Sequence, residues 1–328
     1  MNGDPIVAEA PTAQHPPPAD DPLPLTPAQA VDGWDQLCRQ MAQLLRQSEP
    51  GADWLTQFRS VAQACRDLAR RDVDAALYLL LQSSAAEGGR YSACHAMLCA
   101  LICELCARGL GWPADEVDSL TQAALTMNLS MTKLQDALVV QTAPLEPAQR
   151  EAIDSHAERS AALLSNAGVD DPLWLEVVRR HHVDATGTET PPDAAARLSE
   201  LLHRIDLYTA KLSSRVGREP TSPAIAARDT CLDAQGKPDR VGGLLLRTLG
   251  LYPPGCFVQL TNGDFGIVVK RGSKAHMPCV VSLRRQDGWM YNLPKRRPDG
   301  QREHAVQHGV TRGAVNVLCD HVRILGAV

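Results

Sequence analysis

Apolar positions recur at helical spacing over most of the chain. Val31, Trp34, Leu37, Met41, Leu44 and Leu45 fall on one stripe of a 3.6-residue period, and Trp54, Phe58, Val61, Cys65 and Leu68 resume it after Glu49-Pro50-Gly51. Thr26-Pro27 supplies an N-cap followed by proline at the first helical position, so a helix is predicted to start there. Val73 to Leu81 gives a third helical stretch. Residues 27–90 thus read as an N-terminal helical unit, with Trp34, Trp54 and Phe58 as core anchors. From Tyr91 to about Leu249 the same period continues, interrupted at Gly109 to Pro113, Pro144 to Pro147 and Thr186 to Pro192. It predicts a bundle of six or more helices over 91–250.

After Tyr252-Pro253-Pro254-Gly255 the pattern shortens. Cys256 to Leu260, Phe265 to Val269, Pro278 to Leu283 and His321 to Leu325 read as strands, and Asn262-Gly263-Asp264 is a hairpin turn signal between the first two. The fold class expected is mainly α, a helical bundle with a small β-barrel-like appendage over 251–328.

Composition sharpens this picture. At 44% apolar and 22% charged residues the chain has material for a real core, which excludes a disordered or fibrous protein, while 4% aromatics argue against a large β-sandwich. Residues 1–26 hold seven of the 23 prolines and four acidic residues without a basic one, the composition of a disordered tail. No Lys or Arg precedes Arg39, so the basic region of a secretory signal is missing, and a cytoplasmic location with reduced cysteines is expected. The longest apolar run, Ala96 to Ala107, includes Glu104 and falls short of the ~20 residues that cross a bilayer, so no membrane segment is expected. Cys94, Cys99, Cys103 and Cys106 read as small buried thiols of a core helix rather than as a metal motif, because no second cysteine pair lies near Cys103 and Cys106.

Charge divides along the same seam as the pattern. Residues 270–328 carry eleven Lys and Arg against four Asp and Glu, a net +7, and the rest of the chain is −12. Arg284-Arg285 and Lys295-Arg296-Arg297 fit a solvated basic face docked on the acidic helices. Nucleic-acid binding, marked by steep salt dependence, is the weaker reading.

Candidate chemistry lies in the bundle. His95, His156 and the adjacent pair His181-His182 are spread over several predicted helices, and Asp206 is the carboxylate best placed to complete a set. Histidines from facing helices can converge on a metal, and they can equally stay apart as capping or surface residues.

Order and spacing over about residues 91–250 resemble the HD-GYP domains, a branch of the HD metal-dependent phosphohydrolases whose active members hydrolyse cyclic di-GMP. His95 matches the family's first helical histidine, and Leu145-Glu146-Pro147-Ala148-Gln149-Arg150-Glu151-Ala152-Ile153-Asp154-Ser155-His156 looks like its L-T-x-x-E-R-x-x-I-x-x-H stretch. His181-His182 stands where the family has His-His-Glu. Asp206-Leu207-Tyr208 with Arg215 resembles its late aspartate segment, and Leu249 to Leu260 resembles the β appendage that often follows.

The resemblance implies metal ligation by His95, His156, His181, His182 and Asp206, with Lys133 and Arg215 as substrate contacts. The His-Asp doublet that names the family would fall 32 residues after His95, where this chain reads Met127-Asn128, and Val183 replaces the glutamate after the histidine pair. In the family the doublet's aspartate bridges two cations. Asn128 offers only a neutral carbonyl and an amide, and Met127 a thioether. The expectation is a degenerate HD-GYP-type protein, with no metal or one Fe, Mn or Zn ion. It would not hydrolyse cyclic di-GMP, and would act as a regulatory or interaction module in bacterial second-messenger signalling. A signalling protein is its expected partner, cyclic di-GMP a candidate ligand, and membrane and nucleic acid are not among its partners. The alternative is a phosphohydrolase working with a reduced, mononuclear site.

Overall fold

The computed structural model describes residues 24–47, 50–83, 89–183, 193–213, 221–233, 235–297 and 302–328. The tail expected over 1–26 falls outside them up to residue 23, as do Arg215 and residues 184–192.

Helix α1 (Pro27–Leu45) begins at a reciprocal cap: the Thr26 hydroxyl accepts from the Gln29 amide, and the Gln29 carboxamide oxygen accepts from the Thr26 amide. α2 (Trp54–Arg71) and α3 (Val73–Ser83) follow. The Trp54 and Phe58 rings stack at 5.0 Å, and Phe58 in turn meets Trp174 at 5.7 Å, which ties the N-terminal helices to the rest of the fold.

α4 (Tyr91–Gly109) is apolar on every side and packs against α1 and α3. Its length and apolarity would suffice to cross a membrane, yet most of it is enclosed by neighbouring helices, the setting in which an all-round apolar helix belongs. Around it stand α5 (Ala114–Thr126), α6 (Thr132–Val140), α7 (Pro147–Asp154), α8 (His156–Asn166), α9 (Pro172–Arg180), α10 (Ala194–Leu212), α11 (Pro223–Cys231) and α12 (Arg240–Leu249). α4 packs on α5, α6, α10 and α12, and α9 fills the gap between α5, α8 and α10.

The C-terminal part is an antiparallel sheet of β1 (Phe257–Leu260), β2 (Phe265–Lys270), β3 (Cys279–Arg284), β4 (Met290–Arg297) and β5 (Val306–Val310), in the order β4-β3-β2-β1-β5. Gly263, at φ 83°, makes the turn between β1 and β2 that its Asn-Gly signal requires.

Two expectations are corrected here. The sheet is open, with β4 and β5 at opposite edges rather than paired into a barrel. His321–Leu325 is a helix, α14, preceded by the short α13 (Arg312–Val315); the Asp320 carboxylate caps α14 by accepting from the Arg323 amide at 3.0 Å. One connected body of buried side chains runs from Ala30 in α1 to Ile324 in α14, and Tyr252, Val258, Leu260, Val268 and Val280 form a small second cluster. Arg271, after β2, pairs with Asp74 of α3 at 2.6 Å, so one basic residue of the β unit docks on the helical part. Of the basic runs, Arg297 is buried and structural: it bonds Asp264, Ser282 and Tyr291.

Candidate metal centre

Two helices deliver histidines to one place. In α9 the buried residues Trp174, Val177 and Val178 mark the inward stripe, and His181, three residues past Val178, continues it. The Asp171 carboxylate caps α9 by accepting from the amides of Leu173 and Trp174, and the Trp174 indole donates to Thr126 at 2.8 Å. His156 opens α8 and shares its buried face with Ser160, Ala161 and Leu164.

The hydrogen bonds of these rings define their chemistry. His156 Nδ1 lies against the Ile153 carbonyl oxygen and His181 Nδ1 against that of Val178, at 2.7 Å for the latter. A carbonyl only accepts, so each Nδ1 carries the hydrogen and each Nε2 keeps its lone pair. The two Nε2 atoms then face one another at 3.1 Å. Burial holds the His156 pKa below its usual value. Burial, together with the neighbouring His182, takes that of His181 down to about 3. At neutral pH two lone pairs therefore point at each other with no proton between them. That contact is repulsive until a cation enters, and nitrogens bound to one zinc ion at ~2.0–2.1 Å stand close to this separation. His182, whose pKa burial also lowers, brings its ring within 4.1 Å of that of His181, and the ligand nitrogens of all three rings lie within 4.8 Å of one another.

A second group adjoins the first. His95, wholly buried in α4 beneath the stacked Tyr91 ring, donates from Nε2 to the Asp206 carboxylate of α10 at 2.7 Å. Burial raises the Asp206 pKa, but the His95 hydrogen bond and charge, helped by His181 and His182, outweigh it and hold the group well below the usual carboxylate range. For His95 burial likewise works against the charged form, and Cys99, Tyr91 and Asp206 overcome it, so its pKa stands well above the ordinary value. Cys99 Sγ lies 3.7 Å from His95 Nε2 and 3.2 Å from Thr209 Oγ1.

The residues expected to mark lost chemistry are placed as follows. Met127 ends α5 wholly inside the hydrophobic core. Asn128 is buried beside the start of α8, because Ser130, two residues on, donates its hydroxyl to the His156 carbonyl oxygen at 2.9 Å. Its Oδ1 has no hydrogen-bond partner among the described residues. Val183 is exposed just past the histidine pair, and Lys133 is exposed in the first turn of α6.

No family model matches the chain, and no solved structure does. The chain is similar to the cyclic di-GMP phosphodiesterase PA4108 of Pseudomonas aeruginosa. It is 26% identical to that protein over 199 residues, which is 59% of this chain and 48% of the relative. The chain thus spans about half the length of the curated relative it matches.

Sequence reasoning overlooked two members of the site. His203, one turn before Asp206 on α10, brings its ring within 5.6 Å of that of His182, and its Nδ1 is buried without a hydrogen-bond partner among the described residues. Its signal was the i,i+3 spacing to Asp206. Cys99, read as a core thiol, is buried as expected but stands beside His95 and Asp206, and its spacing of four residues from His95 on one helix was the available clue.

Proposed function

We propose that this chain is an HD-GYP-type metal-binding module that has lost cyclic di-GMP hydrolysis and serves as a regulatory or interaction partner in second-messenger signalling. One observation carries the metal part of this reading: the bare Nε2 atoms of His156 and His181 facing at 3.1 Å, joined by His182. The similarity to a cyclic di-GMP phosphodiesterase supports the messenger as the relevant ligand.

A bound divalent ion supplies Lewis acidity, lowering the pKa of a coordinated water to about 7 and offsetting phosphoryl charge. The chain's own groups do the rest. His156 is oriented by the Ile153 carbonyl of α7 and His181 by the Val178 carbonyl of α9, and Asp206 is held ionised by His95. By the resemblance, Asn128 takes the position of the family's bridging carboxylate, and an amide has no anionic oxygen to share between two cations. Each ~1.4 kcal/mol of lost transition-state stabilisation is a factor of ten, and removing the group that positions the attacking water costs several such factors.

The test is chromatography of cyclic di-GMP incubated with the full chain loaded with Mn2+, Fe2+ or Zn2+. The expected result is intact nucleotide with the wild type and a rise in turnover with Asn128→Asp. Conversion to linear dinucleotide or GMP by the wild type would overturn the loss of hydrolysis and establish the phosphohydrolase alternative.

A further inference from the structure

His95, Cys99 and Asp206 bring three different donor atoms, nitrogen, sulfur and oxygen, within 4.8 Å of one another. We propose that they form a second metal position with a thiolate ligand, selective for a borderline dication such as Zn2+ over Mn2+ and Mg2+. This rests on the reading of the chain as a metal-binding module and extends it to a site of different chemistry.

Placement comes first. His95 and Cys99 are four residues apart on α4, and Asp206 and Thr209 three apart on α10, so two packed helices each present a pair of groups to the same spot. A tetrahedral ion with Zn–N of ~2.0–2.1 Å and Zn–S of ~2.3 Å separates its nitrogen and sulfur by about 3.6 Å. His95 Nε2 and Cys99 Sγ are 3.7 Å apart. The contact from His95 to Asp206, 2.7 Å, is a hydrogen bond whose proton the ion would replace, with the two groups moving apart by about 0.7 Å to the ~3.4 Å of a tetrahedral site.

Charge favours the same assignment. A thiolate and a carboxylate together neutralise a dication, so an ion here needs no bridging carboxylate to coexist with one at His156, His181 and His182. Loss of the bridge at Asn128 is then compatible with two separate ions. Binding releases the thiol proton of Cys99 and the proton held between His95 and Asp206 to solvent. Sulfur sets the selectivity, because thiolate prefers Zn2+ to the hard cations that carboxylates and carbonyls suit. In the metal-free chain the Cys99 thiol donates to Thr209 Oγ1 at 3.2 Å, whose own hydrogen goes to the Ile205 carbonyl oxygen at 2.8 Å, so the sulfur is held beside His95 and Asp206 before its proton leaves.

Co2+ titrated into the chelator-treated full chain tests this, because a thiolate ligand gives a near-ultraviolet sulfur-to-cobalt charge-transfer band that imidazole and carboxylate do not. The wild type should show the band and lose it on addition of Zn2+ but not of Mn2+. Cys99→Ser should abolish the band and about halve the bound cobalt, and Cys99→Ala, which removes the sulfur without adding bulk to the buried site, should do the same with an unchanged circular dichroism spectrum. His181→Gln should also halve the bound cobalt while leaving the band in place. Cobalt bound without the band, or a band that survives both Cys99 substitutions, would overturn the proposal and leave the histidine cluster standing. A band present with bound cobalt unchanged by His181→Gln would overturn the cluster instead, and a chain that binds no cobalt would overturn both.

Discussion

At the scale of single residues the site is governed by which groups can hold a charge. His181 has an ordinary pKa of 6.5 when exposed and about 3 in the fold, so between these values the unfolded chain binds a proton that the folded chain refuses. Stability of the metal-free protein is therefore lost as pH falls from 6.5 towards 3, by up to about 1.4 kcal/mol per pH unit for this group, and His156 and His182 act in the same direction. His95 has the opposite sign: its contribution is full below pH 6.5 and disappears as pH rises through its elevated folded value. Asp206 contributes above its ordinary 3.8 and loses that contribution as pH falls through its depressed folded value. Urea denaturation in EDTA at a series of pH values should show a steep acid loss for the wild type and a shallower one for His181→Gln. Asp206→Ala removes the acceptor of the buried His95 Nε2–H and should cost about 3 kcal/mol in the same assay at pH 7. An unchanged midpoint would show that His95 and Asp206 are not paired in solution.

At the scale of elements, α9 is the part on which the histidine pair depends. Its cap, Asp171, also accepts from the Ser119 hydroxyl of α5 at 2.6 Å, so one carboxylate both starts the helix and anchors it. Asp171→Ala should lower stability by about 1–2 kcal/mol and weaken metal binding with no ligand touched, as calorimetric titration would show. The helices were legible because amphipathic periodicity reports the buried face directly, as with Trp174, Val177 and Val178. α14 was misread because Val322 and Ile324 are β-branched and five residues carry too little period to outweigh them; the cap at Asp320 was the stronger signal. β4 was missed because it is an edge strand with Met290 and Leu293 exposed, so no alternation of apolar and polar residues marks it. Cys99 was passed over for the converse reason. α4 is apolar on every side, so nothing in its pattern separates a thiol facing a carboxylate from one facing leucines, and its partners Asp206 and Thr209 lie over a hundred residues away.

At the scale of the whole molecule, the continuous core from α1 to α14 makes the candidate metal centre part of global stability rather than a local attachment. A ligand that binds only the folded chain adds about 2.7 kcal/mol when present at a hundred times its Kd. Thermal unfolding should therefore shift upward with added Zn2+, and the shift should fade in acid as the folded histidines themselves take up protons, which burial delays to below their ordinary pKa. A Tm insensitive to Zn2+ at pH 7.5 would speak against ligands that converge only in the fold.

The histidine cluster itself is tested most directly by elemental mass spectrometry of the untagged full chain, purified without chelators. At least one first-row transition-metal ion per chain is the expected content, with the share held at His156, His181 and His182 lost when His156 and His181 are both changed to Gln. A wild-type chain that arrives free of metal, and stays so after dialysis against Zn2+, Fe2+ or Mn2+, would contradict it.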